Sequence, residues 1–253
     1  MKVPRLNFSF KQFKKNKTKV YISICVHRDI RVRVLNLTRQ LEKYDGDIEF
    51  KFYPLDGDAL IARSRSRVAS QFLETDFDIL LFLDDDILYD PNDIVKIIKT
   101  QVENDLDVIG ASYVTKNQTD PHFTFRGLKD DESMVFGKGG CVRQVLFLGT
   151  GCMAIRRRVF YGIIEKELTH LCYESTLNFY PFFNPLEIEM NGIWTWLSED
   201  WGFNYKCNEA GYKVWLDTTT KLQHIGDYHY DWNDMVKTPK PNLESVDVIV
   251  KIS

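Results

Sequence analysis

Apolar positions in the first half of the chain fall into short unbroken runs that alternate with stretches of helical spacing. Val20 to Val26 (VYISICV) reads as a buried first strand, ending at the polar turn His27-Arg28-Asp29. From Ile30 to Tyr44, Val34, Leu37 and Leu41 recur at helical intervals, which predicts a helix. Ile48 to Tyr53 alternates as a strand does and stops at Pro54 and the turn Asp56-Gly57-Asp58. A second helix is predicted over Ala59 to Thr75, with Leu60, Val68, Phe72 and Leu73 inward. Ile79-Leu80-Leu81-Phe82-Leu83 has the composition of a strand buried on both faces. Asp90-Pro91-Asn92-Asp93 opens a helix through Val102, and Asp107 to Ser112 gives a fourth strand. Four strand–helix alternations predict a parallel sheet in a three-layer α/β domain.

Beyond residue 115 the pattern changes. Thr115 to Lys138 is polar and irregular, and Cys141 to Phe147 and Met153 to Ile155 read as strands around Gly149-Thr150-Gly151. Arg156 to Glu167 reads as a helix, and Phe179 to Asn191, rich in aromatics and proline, as a packed loop. Ser198-Glu199-Asp200 resembles a helix start, with the helix closing at Gly211 before the strand Tyr212 to Leu216. No clear period returns until Val246 to Ile252. The organisation expected is an arm over 1–19, a domain over 20–226 with halves 20–115 and 116–226, and a tail or lid over 227–253.

A chain of 253 residues with 44% hydrophobic and 27% charged residues can bury a sizeable core. Its net charge of −3 argues against a protein that coats nucleic acid. The five cysteines are scattered without a CxxC pair, so neither a zinc ribbon nor a disulfide framework is expected, and a reducing, cytoplasmic setting is (host cytoplasm for a viral protein). No stretch is long and apolar enough to span a bilayer. The arm carries Lys11, Lys14, Lys15, Lys17 and Lys19 among aromatics, a pattern that suits either an anionic surface or plain solvent.

The densest chemistry is Asp84-Asp85-Asp86, directly after the buried third strand. Open α/β folds bind ligands at the carboxyl ends of their strands. Three adjacent carboxylates there attract a positive partner, and hard oxygen ligands suit Mg²⁺ or Mn²⁺ shared with substrate phosphates. The plain alternative is a solvated acidic turn before the next helix.

Taken together, LLFLDDDI, GTGCMAIRRRVF, SEDWGFNYKCNEAGYKVWLD and LQHIG, in that order, resemble the nucleotide-sugar glycosyltransferases of the GT-A fold, of the family-two type found in bacteria and large viruses. The resemblance spans roughly Val20 to Gly226. It implies a Rossmann-like three-layer α/β/α fold with a mixed, mostly parallel central sheet, a nucleoside diphosphate sugar (a UDP-sugar) as donor, and Mn²⁺ or Mg²⁺ as cofactor. Asp84-Asp85-Asp86 matches the family's DxD motif: Asp86 is expected to hold the metal, Asp84 to contact ribose or support the metal, and Asp85 to lie with the nucleotide. His224 matches the histidine that completes the metal's coordination. Ile61 to Arg67 stands where the family has an "ARN" pattern, which leaves Arg63 and Arg65 as rival partners of the diphosphate. Val26, His27 and Asp56 are expected to line the nucleoside pocket.

Glu199-Asp200 matches the acceptor-side "ED" pair, whose aspartate is the general base of inverting members. The same residues also suit a helix cap. Gly149-Thr150-Gly151 matches a turn under the donor sugar. Of the aromatics Trp194, Trp196, Trp201 and Tyr180, only Trp201 is taken as a pocket residue, with core packing expected of the others. Two rivals remain, a nucleotidyltransferase acting on sugar phosphates and a non-catalytic nucleotide-sugar-binding module. The first is weakened because the loop His27-Arg28-Asp29 has no glycine. The acceptor is expected to be a glycan, with a hydroxylated nucleic-acid base or a protein as alternatives that Arg156-Arg157-Arg158 would suit.

Overall fold

The computed structural model describes residues 17–26, 29–55, 57–117, 119–129, 133–174, 177–190, 192–226, 228–235 and 248–251. Residues 1–16 of the basic arm, His27, Asp56 and much of the tail therefore lie outside the described residues, whereas Thr18 and Lys19 of the arm belong to the first strand. The first half runs β1 (Thr18–Ser23), α1 (Val32–Glu42), β2 (Ile48–Phe52), α2 (Ile61–Leu73), β3 (Ile79–Leu83), β4 (Ile87–Leu88), α3 (Pro91–Glu103) and β5 (Val108–Gly110). Next come β6 (Phe125–Arg126), β7 (Ser133–Phe136), β8 (Val142–Val145), β9 (Phe147–Leu148), β10 (Cys152–Arg156) and α4 (Arg157–Glu165). Two hairpins follow, β11 (Cys172–Glu174) with β12 (Leu177–Phe179) and β13 (Leu186–Met190) with β14 (Ile193–Leu197). The last elements are α5 (Glu199–Glu209), β15 (Val214–Asp217), β16 (Gln223–Ile225), β17 (His229–Tyr230) and β18 (Val248–Lys251).

Among the described residues, seven strands form the central sheet in the order β2-β1-β3-β10-β5-β15-β8. β1, β2, β3, β5 and β15 run parallel, whereas β10 lies antiparallel between β3 and β5, and β8 antiparallel on the edge. The sheet is thus mixed and mostly parallel. Period-two alternation sorts the side chains of β3 into two cores. Ile79, Leu81 and Leu83 face Val34 and Leu41 of α1 and Ile94, Ile97 and Ile98 of α3. Leu80 and Phe82 face Val68 and Phe72 of α2, Phe160 of α4 and Phe203 of α5. Helices on both faces make the three layers.

The stretch Phe179 to Asn191 departs from the expected loop. Its first part does pack without regular structure: the backbone N–H groups of Tyr180 and Phe183 donate to the hydroxyls of Ser70 and Ser66 on α2, at 2.9 and 3.0 Å. Lys206 of α5 is buried beneath it and donates to the carbonyls of Pro181 and Phe182, and burial pushes its ammonium down to about 8. From Leu186 onward, however, the chain forms the β13–β14 hairpin. The signal was Asn191-Gly192 between two alternating runs, the strongest short-range hairpin pattern, and Gly192 takes φ +78° as such turns require.

The three consecutive arginines at the junction of β10 and α4 make contacts within the framework. Arg157 donates to the carbonyls of Phe72, Leu73 and Phe77, and its guanidinium lies 4.4 Å over the Phe72 ring. Arg156 caps Gln101 and Leu106, and Arg158 pairs with Asp105 and Asp107. In the tail, Trp232 packs edge-on against Phe136 at 5.3 Å.

Candidate functional site

Two adjoining charge clusters lie at the carboxyl end of β3. The first is centred on Arg65. Residues 63, 65 and 67 of α2 alternate around the helix, because side chains two apart do not share a face. Arg65 points inward, with 3% of its surface exposed. Its guanidinium donates to Asp84 at 2.9 and 3.2 Å, to Glu199 at 3.0 Å and to Asp200. Arg63 instead binds Asp58 at 2.8 Å and Glu174 of β11 at 2.8 Å, and Arg67 also reaches Asp58. Of the two rival arginines, it is Arg65 that meets the acids.

α5 delivers Glu199 and Asp200 on its first turn. Ser198 caps that helix by accepting from the Trp201 N–H, so the cap and the placement of the acids coexist. Buried Asn204, one turn on, donates to the Asp200 carbonyl at 2.5 Å and the Leu148 carbonyl at 3.0 Å, tying α5 to β9. Three carboxylates thus share one guanidinium and leave excess negative charge in a confined space. Burial pushes the Asp84 carboxyl up, against the pull of Arg65, and pushes Glu199 up with help from the Asp200 charge.

The second cluster is built by the small sheet β17-β16-β4. β4 starts immediately after Asp86, and the register sets His224 opposite Ile87 while the Ile225 N–H donates to the Asp86 carbonyl at 2.7 Å. A histidine 138 positions away in sequence is thereby fixed beside the acidic turn, its Nε2 3.4 Å from Asp86 Oδ2. Lys116 contacts the same oxygen. Burial would raise the Asp86 carboxyl, but hydrogen bonding by His224 and Lys116 outweighs it and holds the group at about 2. Nδ1 of His224 lies 2.8 Å from the Val114 carbonyl, which accepts only if Nδ1 carries the proton. In the neutral ring, Nε2 then turns a lone pair toward a carboxylate oxygen. The ammonium of Lys116, on that same oxygen, supplies the positive charge between these two acceptors.

Tyr113 bridges the two clusters. Its ring packs edge-on to His224 at 5.0 Å, and its buried phenol is pushed up by burial and by the charges of Asp200 and Asp84. Gly149 and Gly151 leave room for it: a Cβ on Gly151 would lie 2.6 Å from the Tyr113 ring and 3.1 Å from Asp84 Oδ2. Gly149-Thr150-Gly151 therefore borders Asp84, and the Gly151 carbonyl accepts from the Asp84 N–H at 3.0 Å. Asp85 is half-buried at the turn. Trp201 stacks on Phe147 at 4.9 Å, and Val26 is buried, its N–H donating to the Leu55 carbonyl. Trp194 and Trp196 depart from the core packing expected of them; both are exposed. Tyr113 and Lys116 escaped the sequence reading because they sit at the edge of an irregular stretch with no period to mark them.

Among the described residues no three His, Cys, Asp or Glu side chains are grouped closely enough to hold a metal unaided. Asp86 and His224 are the residues here that could contribute to a metal site, and a carboxylate with an imidazole suits Mn²⁺ or Mg²⁺. No helix among the described residues is long and apolar enough to cross a membrane.

No family model matches the sequence, and no curated protein does. Among solved structures, the crystal structure of A197 from STIV superposes with a TM-score of 0.54 at 18% identity, over 88% of this chain and 99% of that one. The crystal structure of GalNAc-T7 with UDP, GalNAc and Mn²⁺ superposes at 0.45 with 12% identity, over 86% of this chain and 45% of that one, so this chain spans less than half of that protein. The likeness to A197 is one of fold: a three-layer α/β/α domain around a mixed, mostly parallel sheet.

Proposed function

We propose that this protein is a metal-dependent glycosyltransferase that moves a sugar from a nucleoside diphosphate donor, a UDP-sugar, to an acceptor hydroxyl with inversion. The observation that carries this reading is the convergence of Asp84, Asp86, Arg65, His224 and Glu199-Asp200, from distant parts of the chain, at one sheet edge. Asp86 and His224 would hold Mn²⁺ or Mg²⁺, with Asp84 in support, and such an ion would neutralise charge developing on the departing diphosphate. The Val114 carbonyl keeps the His224 ring in the tautomer that offers Nε2. Val26, with Asp85 and Gly149-Thr150-Gly151, would border the donor, and Trp201 the pocket behind it.

In the transfer itself the acceptor hydroxyl gives its proton to the Asp200 carboxylate. The acceptor oxygen forms its bond to the anomeric carbon as the bond to the diphosphate breaks, and that electron pair leaves with the diphosphate. Asp200 is, however, held by the Arg65 guanidinium. Donor binding resolves this: the diphosphate competes for Arg65 and frees Asp200 for the acceptor.

The test is UDP release from a panel of UDP-sugars with Mn²⁺, alongside thermal shift. Asp86→Ala and His224→Ala are expected to weaken metal-dependent stabilisation by roughly 10- to 100-fold in apparent metal affinity, and to abolish release. Full release by both variants would overturn the metal assignment. The hold of Arg65 on Asp200 favours a second reading, a non-catalytic nucleotide-sugar-binding module; it predicts donor-selective stabilisation with no UDP released.

A further inference from the structure

The hairpin that leads into the acid-bearing helix presents an unusual surface. Its register sets Glu187 directly opposite Trp196 and Glu189 opposite Trp194. Residues directly opposite in an antiparallel pair project to the same side. One face therefore carries two tryptophans and two glutamates, while the other carries Leu186, Ile188 and the buried Leu197. Trp194 is 72% and Trp196 66% exposed, and Glu187 and Glu189 are exposed beside them. Two large rings left in water on one short strand mark a binding surface rather than a packing accident. Its position is specific too, because Leu197 and Ser198 alone separate Trp196 from Glu199-Asp200. The first hairpin is tied to α2 by Glu174 and Arg63, two residues from Arg65, and presents Tyr173.

We propose that the Trp194–Trp196 face of the β13–β14 hairpin is an acceptor platform for a neutral saccharide chain. Indole faces stack on the apolar C–H faces of sugar rings, and flanking carboxylates accept hydrogen bonds from their hydroxyls. The two glutamates decide among occupants. They repel the phosphates of nucleic acid and of anionic lipid headgroups, the other usual partners of exposed tryptophans. A saccharide is also an acceptor that carries the hydroxyl which transfer consumes, delivered a few residues from Asp200. The use of the platform rests on the glycosyl-transfer reading, whereas the binding of saccharide does not.

Titration of the whole protein with neutral oligosaccharides (gluco-, manno- and N-acetylglucosamine-based chains) by calorimetry, without nucleotide or metal, tests this. At least one chain is expected to bind, and Trp194→Ala with Trp196→Ala to weaken it about tenfold. Both side chains are exposed, so the thermal midpoint of the double variant should match the parent and exclude misfolding. Glu187→Gln with Glu189→Gln should leave stacking and reduce affinity less. No binding by any chain, or undiminished binding by the double tryptophan variant, would each overturn the proposal. Saccharide binding in a protein that releases no UDP would uphold the platform and reject the transferase.

Discussion

Arg65 concentrates most of the electrostatic interdependence in this molecule. Its guanidinium is the shared partner of Asp84, Glu199 and Asp200, which come from a strand end and a helix start more than a hundred residues apart. Removing one member of a buried ion cluster leaves the others uncompensated, at a cost of about 3–5 kcal/mol. Arg65→Met is therefore expected to lower unfolding stability by that order, read from the urea midpoint at neutral pH. Arg65→Lys should recover only part, because one ammonium cannot reproduce the fork that reaches both sides. The sequence could name Arg63 and Arg65 as rivals but could not choose, since only the rotation of α2 against the sheet decides which faces inward. The DxD turn and the Glu-Asp pair were legible because they stand at the ends of strongly periodic elements. Their capture by a common arginine was not, because it depends on tertiary distance alone.

At the scale of elements, legibility followed burial. β3 was readable to its end residues because a strand covered on both faces has no polar position to blur it. The antiparallel course of β10 was not, since a short apolar run carries no sign of direction. The β13–β14 hairpin was missed because aromatic and proline content just before it outweighed a clear Asn-Gly turn. That turn makes a local prediction. Gly192 adopts φ +78° with no atom near its missing Cβ, so Gly192→Val meets backbone strain without a clash. The hairpin should loosen by about 1–2 kcal/mol, seen as faster hydrogen exchange in β13 and β14. The global midpoint should move little.

For the whole molecule, acid tolerance depends on which carboxylates are paired. Asp58, just before α2, accepts from Arg63 and from the Leu60 N–H and is also near Arg67. The Arg63 hydrogen bond, against the opposing effect of burial, holds its carboxyl at about 2, below the ordinary 3.8. A depressed carboxylate stabilises the fold above its unfolded value and loses that contribution as pH falls toward its folded value. Stability from Asp58 is thus fully present above about pH 5 and disappears between about pH 4 and 2. The Asp58→Asn variant is expected to be less stable at pH 7 by about 1–2 kcal/mol, with the gap closing over that acid window in denaturant titrations. A gap of constant size down to pH 2 would show that the pairing contributes nothing.

β10 has a consequence for how the molecule comes into being. On the ribosome, β1, β2 and β3 can pair as they emerge, but both sheet partners of β5, which are β10 and β15, are made only after residue 151. The nascent chain must hold β5 without a sheet partner, and one edge of β3 open, through roughly forty further residues of synthesis. The stretch that carries β6, β7, β8 and β9 is what emerges in that interval, and the acidic turn acquires its Gly151 neighbour only at its end.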